Sequence, residues 1–584
     1  MKRLHRKIRI GIIAACTVAA VPVMGQQNQP EDSTGRSVNK LVTAKRHMVA
    51  AAHPDAVAAG LEMLRRGGSA ADAAIAVQLV LSLVEPQSSG IGGGAFLLFH
   101  DSTKNRTVAF DGRETAPIAA TPDLFLTEDG TPMNFGAAVV GGRSVGTPGT
   151  VALLARLFQE HGKLTWPELF APAIRLAREG FIVGPRLAKM LASDRGQRLR
   201  TYAAARDYFF PGGEPLRAGA RRTNLQFAET LIAIAERGPA AFYSGAIAED
   251  IVAAVRNATG NPGSLSLADL ASYDIVRRDP VCHGYRSYRV CGMGPPSSGG
   301  LTVGQTLGML SAFDLRAMTP DDPQSWHLLA EASKLAFADR NQYIADSDFI
   351  SVPEAGLLDP DYVLKRATLI RPETAILPPV VHGLPPGTPK PIHAPDKQRG
   401  RPGTSHISIV DDAGNAVSMT TTIEGAFGSQ LMVRGFLLNN ELTDFSFVPI
   451  RDGKSVANRV EPRKRPRSSM APTLVFNADG SLRLIVGSPG GSRIIGYVAK
   501  TLVAALDWDM DIQAAIDLGH VVNRNGATDV EAGTEAAALA PMLKTLGHTV
   551  RVRDLNSGLH GIEIVDGMLR GGADPRREGI ARGD

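Results

Sequence analysis

The sequence predicts an α+β fold, and three observations carry that reading. At 584 residues the chain exceeds what one ordinary hydrophobic core supports. Apolar residues recur at helical spacing through most of residues 145 to 365. Beyond residue 403 they give way to short alternating runs bounded by Gly, Asn and Asp. A composition of 44% hydrophobic and 21% charged residues is that of a globular protein, and 61 Gly with only 5% aromatics points to close packing of small residues. One large assembly, or two intimately packed parts, is expected.

The N-terminus "MKRLHRKIRIGIIAACTVAAVPVMGQQNQP" has a basic head, a short apolar run and small residues before a polar stretch, the layout of an export signal over residues 1–25. The run from Ile10 to Met24 is too short and too rich in Ala, Gly and Pro for a stable membrane span. Its removal takes away Lys2, Arg3, Arg6, Lys7 and Arg9 and no acid, so the formal charge of +5 falls to zero. The basic character belongs to the signal, and with no persistent basic face a nucleic-acid partner is not expected. An exported, periplasmic or secreted protein is.

In order along the mature chain, "HPDAVAAGLEMLRRGG" predicts a helix with Pro54 in its first turn and a Gly pair at its end. "SAADAAIAVQLVLSLVEP" predicts a buried helix capped by Ser69. The glycines of "GIGGGAFLLFH" turn the chain tightly into a strand; no Lys-Ser/Thr follows them, so they are not a phosphate loop. Helices follow at "TVALLARLFQEHG", "LFAPAIRLAREG", "NLQFAETLIAIAERG" and "SWHLLAEASKLAFADRNQYI". In the last of these His327 and Glu331 lie one turn apart, and with no second His beside them a polar contact is read there and no metal site.

Cys282 and Cys291, in "PVCHGYRSYRVCGMGPP", fall opposite each other if Arg286 and Ser287 turn a hairpin; a cross-strand disulfide and two free thiols both fit. From Arg371 to Pro402 nine prolines lie in 32 residues, a stretch expected to be extended and exposed. Strands are then expected at "SHISIV", "VSMTTTI", "GFLLNN", "APTLVFN" and "LRLIVGS", followed by helices around "RIIGYVAKTLVAAL" and "AAALAPMLKTLG" and a closing hairpin at "GIEIVDGMLRGG".

The junction at Gly403 and Thr404 is where chemistry is expected. A Thr hydroxyl is a poor nucleophile until a base takes its proton, and the amine of the same residue can do so once the preceding peptide bond is cut. Here a proline-rich segment stops at a Gly, whose missing side chain leaves its carbonyl open to attack, and an alternating strand begins at the Thr. A Thr that merely begins a strand fits the same pattern.

Along the chain stand, in this order, "FDGRETAP", "GTPGTV", "PPSSGG", "GTSHISIVDDAGNAVSMTTTI", "GFLLNNELTDFS", "KRPRSSMAPT" and "GSPGGSR". In that series the chain resembles the γ-glutamyltranspeptidases of the N-terminal-nucleophile hydrolase superfamily. The likeness implies a four-layer αββα sandwich with two stacked, mostly antiparallel sheets between helical layers. It also implies self-cleavage between Gly403 and Thr404, giving a large subunit (26–403) and a small catalytic one (404–584) that stay together as a heterodimer. By the same likeness Thr404 is the nucleophile and Thr422 hydrogen-bonds its oxygen, while Gly490 and Gly491 offer N–H groups to the oxyanion. Arg113, Ser468 and Ser469 would take the donor's α-carboxylate, and Glu441 and Asp444 its α-ammonium. Glutathione or another γ-glutamyl compound would be the donor, water or an amino-acid or peptide amine the acceptor, and no cofactor is demanded.

Two positions depart from the family pattern. Glu424 stands where many relatives carry Asn, and Thr443 where they carry Asp. Three carboxylates around one ammonium repel one another, so Glu424 is expected to contact the donor amine while partly protonated or paired with a base such as Arg434 or Arg467. The segment from Phe445 to Arg467 is shorter than in some relatives, which implies a more open cleft. Two other readings remain: a cephalosporin or glutaryl acylase, which needs no α-amine on its donor, and an uncleaved, inactive binding homologue.

Overall fold

The computed structural model describes residues 34–388, 392–396 and 403–584. The export signal lies outside the described residues, as do Lys390, Lys397, Arg399 and Arg401 of the proline-rich run. No helix among the described residues is long and apolar enough to cross a membrane.

Two seven-stranded antiparallel sheets stack on each other. The first runs, edge to edge, through Ile580–Gly583, Met48–Ala51, Thr404–Val410, Ala416–Thr422, Gly94–Asp101, Arg106–Gly112 and Val276–Arg278. The second runs through Val42–Ala44, Met568–Ala573, His560–Val565, Leu482–Gly487, Thr473–Phe476, Tyr288–Gly292 and Val281–Tyr285. Each sheet mixes strands from before and after residue 403, so neither half of the chain can complete a sheet alone.

Alternation along the strands sets the layers. Ile407 and Ile409 point with Val417 and Met419 into a core shared with Leu61, Val77 and Leu154 of the helices Pro54–Arg65, Ala70–Val84 and Thr150–His161. Each such Ile, fully buried, contributes about 1.5–3 kcal/mol. The residues between them face the other sheet: Ser408 Oγ donates to the His560 carbonyl and Ser418 Oγ to that of Val486. His406 lies over Gly487, where a Cβ would stand 2.2 Å from its ring. A second core holds the far face of the second sheet against the helices Gly299–Leu310, Pro323–Tyr343 and Ile494–Leu506. The four-layer expectation holds.

Local expectations hold in the same way. Pro54 opens its helix, and Ser69 caps the next in a reciprocal box with Asp72. The glycines before Gly94–Asp101 serve close approach: a Cβ on Gly93 would stand 2.0 Å from the Thr422 carbonyl oxygen, and one on Gly94 2.4 Å from Glu114. The hairpin turning at Arg286 pairs Cys282 with Cys291, and the two are joined in a disulfide.

Three expectations need correction. "GFLLNN" forms only the two-residue strand Phe436–Leu437, because the chain bends into the site at Asn439 and Asn440. The hairpin His560–Val565/Met568–Ala573 does not close the fold; Ile580–Gly583 follows and becomes an edge of the first sheet. The proline-rich run is largely exposed through residue 388, but its described end is tied down: Ala394 bridges to Val456, and Asp396 is buried, accepting from Arg467 and Asn458.

Candidate active site

Thr404 begins a central strand and pairs directly with Thr422, the last residue of its neighbour. That register places both hydroxyls at the same end of the sheet, beside the Gly403 carbonyl. Thr404 Oγ1 donates to Thr422 Oγ1 at 3.4 Å, and Thr422 Oγ1 donates to the Gly403 oxygen at 2.9 Å. The Glu424 N–H donates to Thr422 Oγ1 at 2.7 Å, so this hydroxyl uses its proton and both lone pairs. Gly403 admits no side chain: a Cβ there would lie 2.4 Å from the Glu424 carbonyl oxygen.

Around this corner lies a small pocket onto which Arg113, Glu424, Glu441 and Asp444 open, with Ser468, Ser469 and Gly491 on another wall. The structure thus gathers every site residue expected from sequence except Gly490, which stands just behind the wall at φ 137° with the Tyr497 ring where a Cβ would go. Gly491, at φ 59°, opens the short turn Gly491–Arg493. Within the pocket Thr404 and Arg113 are 3% and 1% exposed. The Phe445–Arg467 segment folds inward, with Phe447 stacked on Phe125 and Val460 fully buried.

Arg113 is the hub of the pocket's charge. Its guanidinium meets Glu441, donates to Asp444 Oδ2 at 2.6 Å and to the Pro466 carbonyl at 3.1 Å, and lies 4.0 Å from Glu114. Burial opposes its charge, yet Glu441, Asp444 and Glu114 raise its pKa above the ordinary arginine value. The acids are overcrowded. Burial raises the Glu114 carboxyl to about 7 against the pull of Arg113. Burial also lifts Glu441 well above the usual range; Arg113 opposes this, while Glu114, Asp444 and Glu424 add to it. Asp444 is raised by burial as well. Sequence reasoning assigned Arg113 and the acid pair to opposite ends of a ligand; here they hold each other.

Glu424 sits at φ 72°, left-handed backbone that a residue with a side chain rarely adopts. Asn440 braces it, donating to Glu424 Oε2 at 2.6 Å and accepting the Gly425 N–H at 2.9 Å. The suggested basic partners are engaged elsewhere, Arg434 by Asp250 and Arg467 by Asp396. Asn440 also donates to Thr443 Oγ1 at 3.0 Å.

Three groups at the site were missed from sequence. Arg340, from the helix Pro323–Tyr343, donates to Ser469 Oγ at 2.7 Å and to Ser298 Oγ at 2.8 Å. Arg577 donates to the Thr404 carbonyl at 3.0 Å, fixing the strand end that carries the Thr404 hydroxyl. Asn440 is the third. A cation in a helix buried nearly all round was the available signal for Arg340; for Arg577, in an irregular loop, there was none. Ser468 Oγ accepts the Met470 N–H, the turn-capping role also open to it, and its chain bridges to Ser297 of "PPSSGG". Both serine hydroxyls accept in these contacts, which leaves their protons for a ligand.

Comparison with known proteins places this geometry. The family model described as Gamma-glutamyltranspeptidase matches residues 56–583. A glutathione hydrolase proenzyme of Bacillus subtilis is 36% identical, with 100% of this chain and 99% of the relative covered. Among solved structures, a cephalosporin acylase from Bacillus halodurans superposes with a TM-score of 0.82 at 28% identity, covering 96% of this chain and 99% of the other. A γ-glutamyltranspeptidase from Helicobacter pylori gives 0.53 at 35% identity, over 56% of this chain and 91% of that one. The chain belongs to the γ-glutamyltranspeptidase family.

Proposed function

We propose that the chain is an exported precursor that cuts itself between Gly403 and Thr404 and then hydrolyses or transfers γ-glutamyl groups. One observation carries the reading: the Thr422 hydroxyl bridges the Thr404 hydroxyl and the Gly403 carbonyl. In the uncut chain Thr404 has no free amine, and the bridge supplies a relay instead. As Thr404 Oγ bonds to the Gly403 carbon, its proton passes to Thr422 and the Thr422 proton passes to the carbonyl oxygen. The C–N bond then breaks as that proton moves from the oxygen to the departing nitrogen, leaving Gly403 esterified to Thr404 Oγ and Thr404 with an amine; water cleaves the ester. Subunits 26–403 and 404–584 would remain joined because they share both sheets.

The freed amine, with an ordinary pKa of about 7.7–8.0, then serves as base for the same hydroxyl near neutral pH. A donor with an ammonium and a carboxylate on one carbon can enter by exchange. Its ammonium takes Glu441 and Asp444, its carboxylate takes Arg113 and the two serine hydroxyls, and one buried ion pair becomes two. Thr404 Oγ then bonds to the γ-carbonyl carbon as its own amine takes the hydroxyl proton, and Gly490 and Gly491 N–H groups steady the oxyanion; the γ-amide C–N bond breaks with that proton going to the departing amine, and the acyl group passes from Thr404 to water or to an acceptor amine. Glutathione fits this description, whereas a glutaryl amide, as an acylase would use, lacks the ammonium that the retained acids serve.

Denaturing gels of wild type and Thr404→Ala test the reading. Two bands are expected for the first and one for the second, with glutamate released from glutathione only by the first. Two bands from Thr404→Ala, or faster turnover of a glutaryl amide than of glutathione, would sink it. A wild type that stays a single band would leave the binding-homologue reading standing.

A further inference from the structure

On the same helix that brings Arg340 to the active site, a second cluster is assembled that the sequence did not disclose. His327 and Glu331 share one face of the helix Pro323–Tyr343, and His548, from the loop after the helix Ala540–Thr545, packs against them. The reading that no second His accompanies His327 is thereby corrected: the partner is 221 residues away in the chain and 2.8 Å away in space, His327 Nδ1 to His548 Nε2. His548 Nε2 lies 3.8 Å from Glu331 Oε1. All three residues are buried, and their three ligand atoms lie within 4.8 Å of one another.

The outer nitrogens are anchored. His327 Nε2 donates to the Arg371 carbonyl at 2.8 Å; a carbonyl only accepts, so the proton sits on Nε2 and Nδ1 presents its lone pair to the cluster. His548 Nδ1 meets the Thr528 hydroxyl at 3.0 Å, and either tautomer satisfies that contact. At 2.8 Å the His548 Nε2–H donates to the His327 Nδ1 lone pair; a bound cation would take the place of this proton, His548 then carrying its proton on Nδ1 with both lone pairs facing inward. A ring nitrogen held from outside by a hydrogen bond is how ligating histidines are oriented and made more basic.

We propose that His327 Nδ1, His548 Nε2 and Glu331 Oε1 form a zinc site that ties the part of the chain before Gly403 to the part after it. Two imidazoles and a carboxylate are a donor set that suits Zn²⁺ among the common divalent ions. Zinc–nitrogen bonds of about 2.0–2.1 Å require the two nitrogens to part to roughly 3.4 Å, a small rotation of either ring. Lys334 is the opposing group: its ammonium donates to Glu331 Oε1 at 2.6 Å and to the Ile376 carbonyl at 2.6 Å. Oε1 retains a further lone pair, and Oε2 is taken by the Ile376 N–H at 2.8 Å. The ligands thus also hold the start of the proline-rich run, through Arg371 and Ile376, and Ala375 N–H adds a bond to the Leu546 carbonyl at 2.7 Å. A metal here would brace both subunits where the segment leading to the scissile bond departs.

The test uses the full processed protein, stripped with a chelator and dialysed against Zn²⁺ or Co²⁺. Elemental analysis should find about one zinc per chain, the Co²⁺ form should show the strong visible absorption of a tetrahedral ion, and Tm should rise with free Zn²⁺. His548→Gln and Glu331→Gln should each lose all three responses. Glu331→Gln keeps shape and both rings, so it decides the matter if His548→Gln does not fold. A wild type that retains no zinc and gives only the pale spectrum of aqueous Co²⁺ would overturn the proposal, the two rings then sharing a proton and nothing more. Equal zinc content in wild type and Glu331→Gln would overturn it too.

Discussion

The two halves of the active site are built on opposite principles. At the Thr404 corner the groups that meet are neutral hydroxyls, an N–H and a carbonyl, and the central hydroxyl is saturated: Thr422 takes the Thr404 hydroxyl and the Glu424 N–H and gives its own proton to Gly403. In the other half of the pocket Glu114, Glu441 and Asp444 crowd the Arg113 guanidinium, Glu424 adds its charge to Glu441, and burial has raised Glu114, Glu441 and Asp444. The first half can act on the chain's own peptide bond with no charge to rearrange. The second is held in an ion cluster that only a ligand with both signs of charge can enter without loss. Cutting and donor binding should therefore respond to different substitutions and to different solution conditions.

The sharpest way to break that division is Thr422→Val, which keeps shape and removes the bridging hydroxyl. The Glu424 N–H and the Gly403 carbonyl are then both left without it. Losing one donor to a developing oxyanion costs about 10²–10³ in rate. Conversion of precursor to two bands, followed on gels over time, should slow by that order, while KM for glutathione in whatever enzyme matures stays unchanged. A precursor maturing at the wild-type rate would remove Thr422 from the reaction.

Arg113→Lys probes the other half. Lysine keeps the charge but not the planar fork that meets Glu441 and Asp444 together. Charge-assisted hydrogen bonds contribute about 1.5–3 kcal/mol each, so kcat/KM for glutathione should fall about 10–100-fold, chiefly through KM. Processing should be untouched. If Arg113→Lys instead blocks the cut, the two halves are one machine and the contrast fails.

How much of this was legible in the sequence follows the same line. The Gly403–Thr404 junction was, because a Gly, a strand start and a preceding proline-rich run are neighbours in the chain; Thr422 came only through the family likeness, and the strand register then places it opposite Thr404. The Cys282–Cys291 pairing was legible for the same reason, as turn arithmetic within one hairpin. Contacts between distant segments were not. Arg340 reaches Ser469 across 129 residues, Arg577 reaches Thr404 across 173, and His548 reaches His327 across 221. The edge strand Ile580–Gly583 gave no alternation signal in four residues, and only pairing with Met48–Ala51 makes it a strand. The charge cluster was half legible: Arg113, Glu441, Asp444 and Glu424 were named, but as the two ends of a ligand site, and the direct pairing of Arg113 with the acids was not read.

The crowding of those acids makes a directional prediction about pH. Donor binding needs Glu441 charged, and its raised pKa means that charge is lost as pH falls through a range above the usual carboxylate one. The acidic limb of kcat/KM should accordingly lie nearer neutrality than a free glutamate would place it, and it belongs to the coupled acids as a set. Glu114 is one of the groups pushing Glu441 upward. Glu114→Gln should therefore move the limb to lower pH, read from a full pH–rate profile with glutathione, while the rate of self-cleavage stays the same. A limb that stays in place, or moves up, would mean that Glu114 acts on Arg113 alone.

The finest distinction concerns Glu424, which touches both halves: its N–H serves Thr422 and its carboxylate adds to the burden on Glu441. Glu424→Gln leaves the backbone N–H in place, can still accept from Asn440, and removes only the charge. If that carboxylate contacts the donor ammonium, KM for glutathione near pH 8 should rise about two- to tenfold, the worth of one hydrogen bond, with kcat and processing unchanged. If it only crowds Glu441, KM at acidic pH should fall instead, because one source of upward pressure on Glu441 is gone. A change in processing rate alone would place Glu424 with the nucleophile corner, through the left-handed turn that presents its N–H to Thr422.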